Sequence, residues 1–389
     1  MIAAAAVAAA AWIVYRFGLR LVIVPALHYP AFAIRDCVLR ENAVVKKTLR
    51  RILGCALLSY GSAAVAFTLI QIPPELTPST EVTNSFTLHT EVQPIAGTIR
   101  AQMFGLRRPG SSQTAAGAND SSWGVNGGNT QSLWISSTID SLENTFSRTA
   151  FTGATQNVLV GYDFTRSDKY VVGISAGYEA SNFNTKFNSG SEKTGGYNLN
   201  PYFAWLISNA WSLDLIAGYG WFNTDQSRTI GSVTPPATIA VDSQFSSTRS
   251  FASTNLTNIS GRGSWKLTSS LGYQYSKRDQ DAYTENGGFA VAESKQTSKQ
   301  WSLLEEIAYG RGNSETFFGA RYEDITNYEK IELTAGLGQQ PANDPTSVLL
   351  TAGWRYFGKG LTASFVFSGR VAQEQVKEHG FSMVLRVDL

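Results

Sequence analysis

The sequence predicts an all-β membrane protein: a closed antiparallel 12-stranded transmembrane β-barrel, with one candidate N-terminal helix for its lumen. Three observations predict it. From about Leu133 onward, apolar residues recur at every second position, the period of a strand, and no helical period persists. Short turns alternate with longer polar connections along that stretch. Aromatic side chains collect on the apolar face beside every short turn.

Composition agrees. Charged residues are 16% of the 389 and aromatics 12%, with 35 glycines; globular proteins usually carry about 25% charge. A net charge of +2 points to neither nucleic acid nor a strongly anionic partner. Three histidines (His28, His89, His379) leave little material for acid–base or metal chemistry, so no cofactor or metal site is expected. Cys37 and Cys55 both precede residue 66, so a chain starting near Phe67 carries no cysteine, as suits an exported protein without a disulfide framework.

Residues 44–66 read as a secretory signal: a basic head (Lys46, Lys47, Arg50, Arg51), an apolar run from Ile52, and a cleavage site at Ala64-Val65-Ala66 with the Ala64 and Ala66 spacing a signal peptidase needs. The Sec translocon is the partner this implies. A lipobox at Ile52-Leu53-Gly54-Cys55 is disfavoured because little apolar sequence precedes the cysteine. Residues 1–43 hold another apolar tract, long enough to cross a membrane. The preferred expectation is that translation starts at Val44 or Val45 and that 1–43 are a mis-assigned extension.

Residues 67–130 are short, polar and Gly/Ser-rich, as in a flexible linker. Within them "QPIAGTIRAQMFGLRRPG" predicts a helix over 94–109, with Pro94 at its start and Gly110 just past its end. Ile95, Ile99, Met103 and Leu106 share one face, with Arg100, Arg107 and Arg108 elsewhere.

The barrel is expected over 131–389, with strands at 131–143, 150–164, 169–184, 193–208, 210–226, 241–261, 263–279, 294–309, 313–329, 345–357, 360–373 and 379–389. In "YVVGISAGY", Tyr170, Val172, Ile174, Ala176 and Tyr178 oppose Val171, Gly173, Ser175 and Gly177. In "WSLDLIAGYGW", Trp211, Leu213, Leu215, Ala217, Tyr219 and Trp221 oppose Ser212, Asp214, Ile216, Gly218 and Gly220. The short links are "TRSDK", "SNA", "GRGS", "GRGN" and "GKG"; those between, such as "NTKFNSGSEK" and "QSRTIGSVTPPATIA", are longer and polar. That is the order of periplasmic turns and external loops in an outer-membrane barrel. Tyr162, Phe164, Tyr170, Trp205, Trp211, Trp265, Tyr309, Phe318, Trp354 and Tyr356 flank the short turns as an interfacial girdle. Lipid offers no water to an unpaired backbone group, so the sheet must close, and an even strand number returns both ends to the periplasmic side. A soluble sandwich or propeller is disfavoured, since strands there average five or six residues.

A twelve-strand wall with strands about 4.8 Å apart and tilted about 40° is roughly 24 Å across, which leaves room for about one helix. Helix 94–109 is therefore a candidate plug, with inward-facing Asp163, Asp214 and Glu306 as candidate partners for Arg100, Arg107 and Arg108; the alternative is an ordinary periplasmic or surface helix. The inward Lys266, Arg321, Arg355, Arg370, Arg386 and Asp388 are read as wall residues pairing with neighbours in preference to groups tuning ion passage. One position breaks the pattern: Glu305 falls on the apolar face, where charge is costly, so a bulge, a partner contact or a different register is open there.

The stretch "SLWISSTIDSLENTF…NVLVGYDFTRSDKYVVGISAGYEASNF…YFAWLISNAWSLDLIAGYGW" resembles the translocator (β-) domain of autotransporters, the type V secretion family, over about 130–389. The resemblance implies a Gram-negative outer-membrane barrel that exports its own N-terminal passenger and keeps a helix in its pore. It implies contact with outer-membrane lipid and lipopolysaccharide, insertion by the barrel-assembly machinery, a monomer, and no enzyme activity. Two features depart from the family: the roughly 64 residues before the barrel are too short for a β-helical passenger and show no repeat, and the chain ends in Leu389 where the family usually ends in Phe or Trp. Secretion or surface display of a short N-terminal segment is the leading expectation. A narrow porin-like channel for small solutes and an adhesin acting through external loops are the alternatives. A Ser–His hydrolase is disfavoured because His379 is the only barrel histidine, and self-cleavage because 94–109 contains no asparagine.

Overall fold

The computed structural model describes residues 70–71, 95–97, 99, 130–147, 149–166, 169–233, 236–326, 331–332, 345–358 and 360–389. The signal, its cleavage site at Ala64 and Ala66, the 1–43 extension and most of helix 94–109, including Arg100, Met103, Leu106, Arg107 and Arg108, lie outside the described residues.

Twelve long strands follow one another: β1 Thr130–Asn144, β2 Phe151–Arg166, β3 Tyr170–Thr185, β4 Gly190–Leu206, β5 Trp211–Val233 and β6 Pro236–Arg262. The rest are β7 Trp265–Gln280, β8 Ser294–Arg311, β9 Ser314–Ile325, β10 Thr346–Phe357, β11 Leu361–Val371 and β12 Val376–Asp388. Each pairs antiparallel with the next, and β12 returns to β1 in the register Asp388↔Ser132, so no edge remains. The short turns work as expected: Gly263 and Gly312 take φ of +61° and +58°, a left-handed backbone that favours glycine over other residues.

The faces are inside out relative to a soluble protein. Leu133, Val160, Val172, Leu215, Leu271 and Leu303 are exposed outward, while Ser136, Thr155, Asp163, Ser175 and Glu306 are buried inward. Around the outer face run two aromatic belts. The lower one includes the stacked Tyr170 and Trp205 and the pair Trp265–Tyr309, 5.0 Å apart. The upper one holds Tyr178–Tyr197 at 5.1 Å, Tyr219–Trp221 at 4.9 Å and Tyr273–Trp301 at 4.7 Å. Tyr170 and Tyr178, Trp211 and Tyr219, Trp265 and Tyr273, and Trp301 and Tyr309 all repeat at one interval of eight residues along their strands. At about 3.4 Å per residue and a tilt near 40°, that spacing is roughly 20 Å, close to the apolar band of an outer-membrane barrel.

The fifth and sixth strands outrun their expected lengths. β5 has 23 residues and β6 27, and the segment "QSRTIGSVTPPATIA" that reads as a loop is mostly paired strand, with Ile230 opposite Ile239 and a link only at 234–235. β-branched residues at Thr229, Ile230, Ile239 and Val241 favour continued pairing beyond the membrane. Long links on that rim are therefore two, 281–293 and 326–345.

Candidate functional site

Large aromatics enter the lumen by lying across glycines of a neighbouring strand. Trp134 on β1 pairs in register with Gly161, Tyr202 on β4 with Gly173, and Phe251 on β6 with Gly218. A Cβ on any of these glycines would overlap the neighbouring ring. Together with Leu159, Val171, Ala204 and Ile216 these rings line the β1–β6 side of the lumen with apolar surface.

Against that surface sits the helix. Residues 95–97 and 99 are helical, and Ile95, Ala96 and Ile99 are buried in the same cluster as Trp134, Leu159, Val171, Tyr202, Ala204, Ile216 and Phe251. Ile95 and Ile99, fully covered, each contribute about 1.5–3 kcal/mol of burial. The contact is one-sided, since nothing lies within 4 Å of where Gly97 would carry a Cβ.

The remaining lumen is lined by arginine-centred networks. Near the short-turn rim, Arg386 donates two bonds to Asp163 at 2.6 Å and one to Ser132 at 2.7 Å. Ser132 donates in turn to Asp388 at 2.7 Å. Tyr202 donates to Asp163 at 3.0 Å and receives the Trp134 indole N–H at 2.8 Å. This network spans β12, β1, β2 and β4, and so crosses the barrel seam. On the far wall Arg355 holds Glu306 with two 2.7 Å bonds and Glu315 at 3.1 Å, lies 3.7 Å over the Phe317 ring, and shares Glu315 with Lys266. Towards the other rim Arg370 joins Glu323 and Glu378, and Arg249 reaches from β6 to Glu179 on β3 at 2.6 Å.

All three predicted carboxylates face the lumen, and each bonds within the wall: Asp163 to Arg386, Glu306 to Arg355, and Asp214 to Asn255 at 2.7 Å. The inward cations Lys266, Arg355, Arg370 and Arg386 are paired as the sequence suggests. What sequence reasoning missed is the apolar lining. Its signal is present, since Val171, Ile216 and Phe251 interrupt an otherwise small and polar inward face. Glu305 sits in regular register between Ser269 and Ala320, with no bulge; it faces outward and accepts a 2.7 Å bond from the Ser269 hydroxyl.

Residues 133–313 match the family model described as Autotransporter beta-domain. No curated protein matches by sequence. The fold is similar to the translocator domain of autotransporter NalP from Neisseria meningitidis, at 15% identity over 79% of this chain and 99% of that one, with a TM-score of 0.59. It is also similar to the beta domain of the Bordetella autotransporter Brka, at 15% identity over 67% and 100% of the two chains, TM-score 0.52. At such identity the solved structures speak for the fold, and the family model speaks for residues 133–313. Over residues 133–313 the chain is thus similar to autotransporter β-domains, and its barrel is one of the outer membrane of Gram-negative bacteria.

Proposed function

We propose that this barrel carries the chain's own N-terminal segment to the cell exterior and holds it there, with the lumen then occupied by the helix around Ile95. The observation that supports this is a backbone pairing far from the short-turn rim. Ile70–Gln71 runs parallel to Ile331–Glu332, within the link that leaves β9 at Ile325. The chain is thus beside the long-loop rim at residue 70, inside the lumen at 95–99, and at the short-turn rim by Thr130. Those three waypoints support a path of the N-terminal segment through its own barrel.

The exported piece is short, so the product is a tethered surface segment and not a released domain. Signal removal at Ala64-Val65-Ala66 after Sec transport, insertion by the barrel-assembly machinery through the C-terminal strand, and a monomer surrounded by lipid and lipopolysaccharide complete the reading. No catalytic step is proposed; the family acts by translocation. The basic residues Arg100, Arg107 and Arg108 are assigned to the polar side of the lumen helix, facing the networks around Asp163, Asp214 and Glu306.

An epitope inserted after Thr80 tests it. External protease on intact cells should remove the epitope and leave the barrel, and complete protection of the epitope on cells whose barrel is assembled overturns the reading. Solute flux through such a protected barrel would favour the porin-like channel instead.

A further inference from the structure

β5 and β6 continue as a two-stranded ribbon after their neighbours have ended. The β4–β5 pairing stops at Ser191↔Ser227 and the β6–β7 pairing at Ser247↔Gln280, so residues 228–246 stand above the rim. A lone ribbon in water is marginal. This one is covered by the link between β7 and β8, residues 281–293, which folds back over its inner face. Tyr283 stacks on Phe245 with ring centres 4.4 Å apart and planes 17° from parallel. Glu285 accepts Arg228 Nε at 2.8 Å and Nη2 at 3.0 Å, and the two side chains are 0% and 4% exposed. Asn286 donates its N–H to the Asp242 carbonyl at 2.9 Å and accepts the Asp242 N–H on Oδ1 at 3.0 Å. The link carries its own small hairpin, Tyr283–Thr284 with Ala290–Val291, turned by Gly288 at φ +84°.

Beneath it, the inward side chains of β5, β6 and β7 are dry. Gln226, Ser247, Arg249, Arg278 and Gln280 are all buried, although they stand at the outer end of the lumen, where an open tube would wet them. Arg278 is the telling one. Its Nε, Nη1 and Nη2 are all buried, and among the described residues none has a hydrogen-bond acceptor. Burying such donors unsatisfied opposes the covered state, and water would relieve it once the mouth opened. The Arg228–Glu285 pair acts the other way. Breaking it in place would strand one charge out of water, so lifting of the link is the easier response.

We propose that residues 281–293 form a hinged cap over the external mouth, latched by Arg228–Glu285 and biased towards opening by Arg278. The barrel then has a closure at its outer end, distinct from the helix inside it. The cap's state is read by a cysteine beneath it. Ser247 is buried, small and, among the described residues, without a hydrogen-bond partner for its hydroxyl, so Ser247→Cys is a mild reporter, introduced with Cys37→Ser and Cys55→Ser. A membrane-impermeant maleimide added to intact cells should label it slowly when the latch is native. Glu285→Ala or Arg228→Ala should speed labelling at least about tenfold, the equivalent of about 1.4 kcal/mol in the closed–open balance. The reversed pair Arg228→Glu with Glu285→Arg should restore slow labelling, and Arg278→Met should slow it below the native rate. Heat-modifiable gel mobility confirms in each variant that the barrel is folded. Fast labelling behind a native latch, or one rate across all folded variants, overturns the proposal; should both alanine variants fail to fold, the Arg278→Met rate alone decides it.

Discussion

Individual residues in the lumen do two jobs, packing and charge neutralisation, and each is separately testable. Trp134 needs the bare backbone of Gly161 beneath its ring, so Gly161→Ala should destabilise the barrel by about 1–3 kcal/mol through overpacking. A lowered unfolding midpoint in urea, at unchanged expression, checks this. Asp163 is wholly buried and takes two short bonds from Arg386; Arg386→Leu leaves that carboxylate without its cation and should cost about 3–5 kcal/mol. On the outer face, Glu305→Leu should stabilise the barrel, because a carboxyl facing lipid midway between Trp301 and Tyr309 is penalised even with Ser269 beside it. The inward charges were legible from alternation alone, down to which face each occupies. Their partners were not, because Arg386 and Asp163 lie 223 positions apart and only closure of the sheet brings them together.

At the scale of elements, all twelve strands were legible, because lipid on one side and water on the other enforce a two-residue period over every crossing. The limits of each strand were less so. Alternation marks where a strand contacts lipid, and β5 and β6 run on past that zone with polar residues that look like loop. The first strand reads weakly for another reason. Leu133, Trp134 and Ile135 are all apolar because Trp134 faces inward towards a helix, which blurs the contrast between faces. That blurring marks the seat of Ile95 and Ile99. Ile95→Asp with Ile99→Asp should expel the helix from its apolar seat and raise single-channel conductance. Arg100→Ala, Arg107→Ala and Arg108→Ala together should act in the same direction but less strongly, since the seat survives. Unchanged conductance in the first variant would count against a lumen-filling helix.

For the whole molecule, the outward surface decides the address. A cylinder that shows Leu, Val and aromatic side chains to its surroundings between two belts is stable only in a bilayer. The purified chain should stay dispersed only with detergent and should fractionate with the outer membrane. The two walls of the lumen also differ: strands β1 to β6 carry the apolar bed as well as Arg249–Glu179, while the Arg355 and Arg370 networks lie on β7 to β12. The seam between β12 and β1 belongs to the second kind. Arg386 and Asp388 come from the twelfth strand, Ser132 from the first, and Asp163 from the second. None of those bonds can form until the final strand arrives beside the first. Until then the sheet is an unfastened crescent, wider than the finished tube, and the clasp of Arg386 on Asp163 and Ser132 is what shuts it.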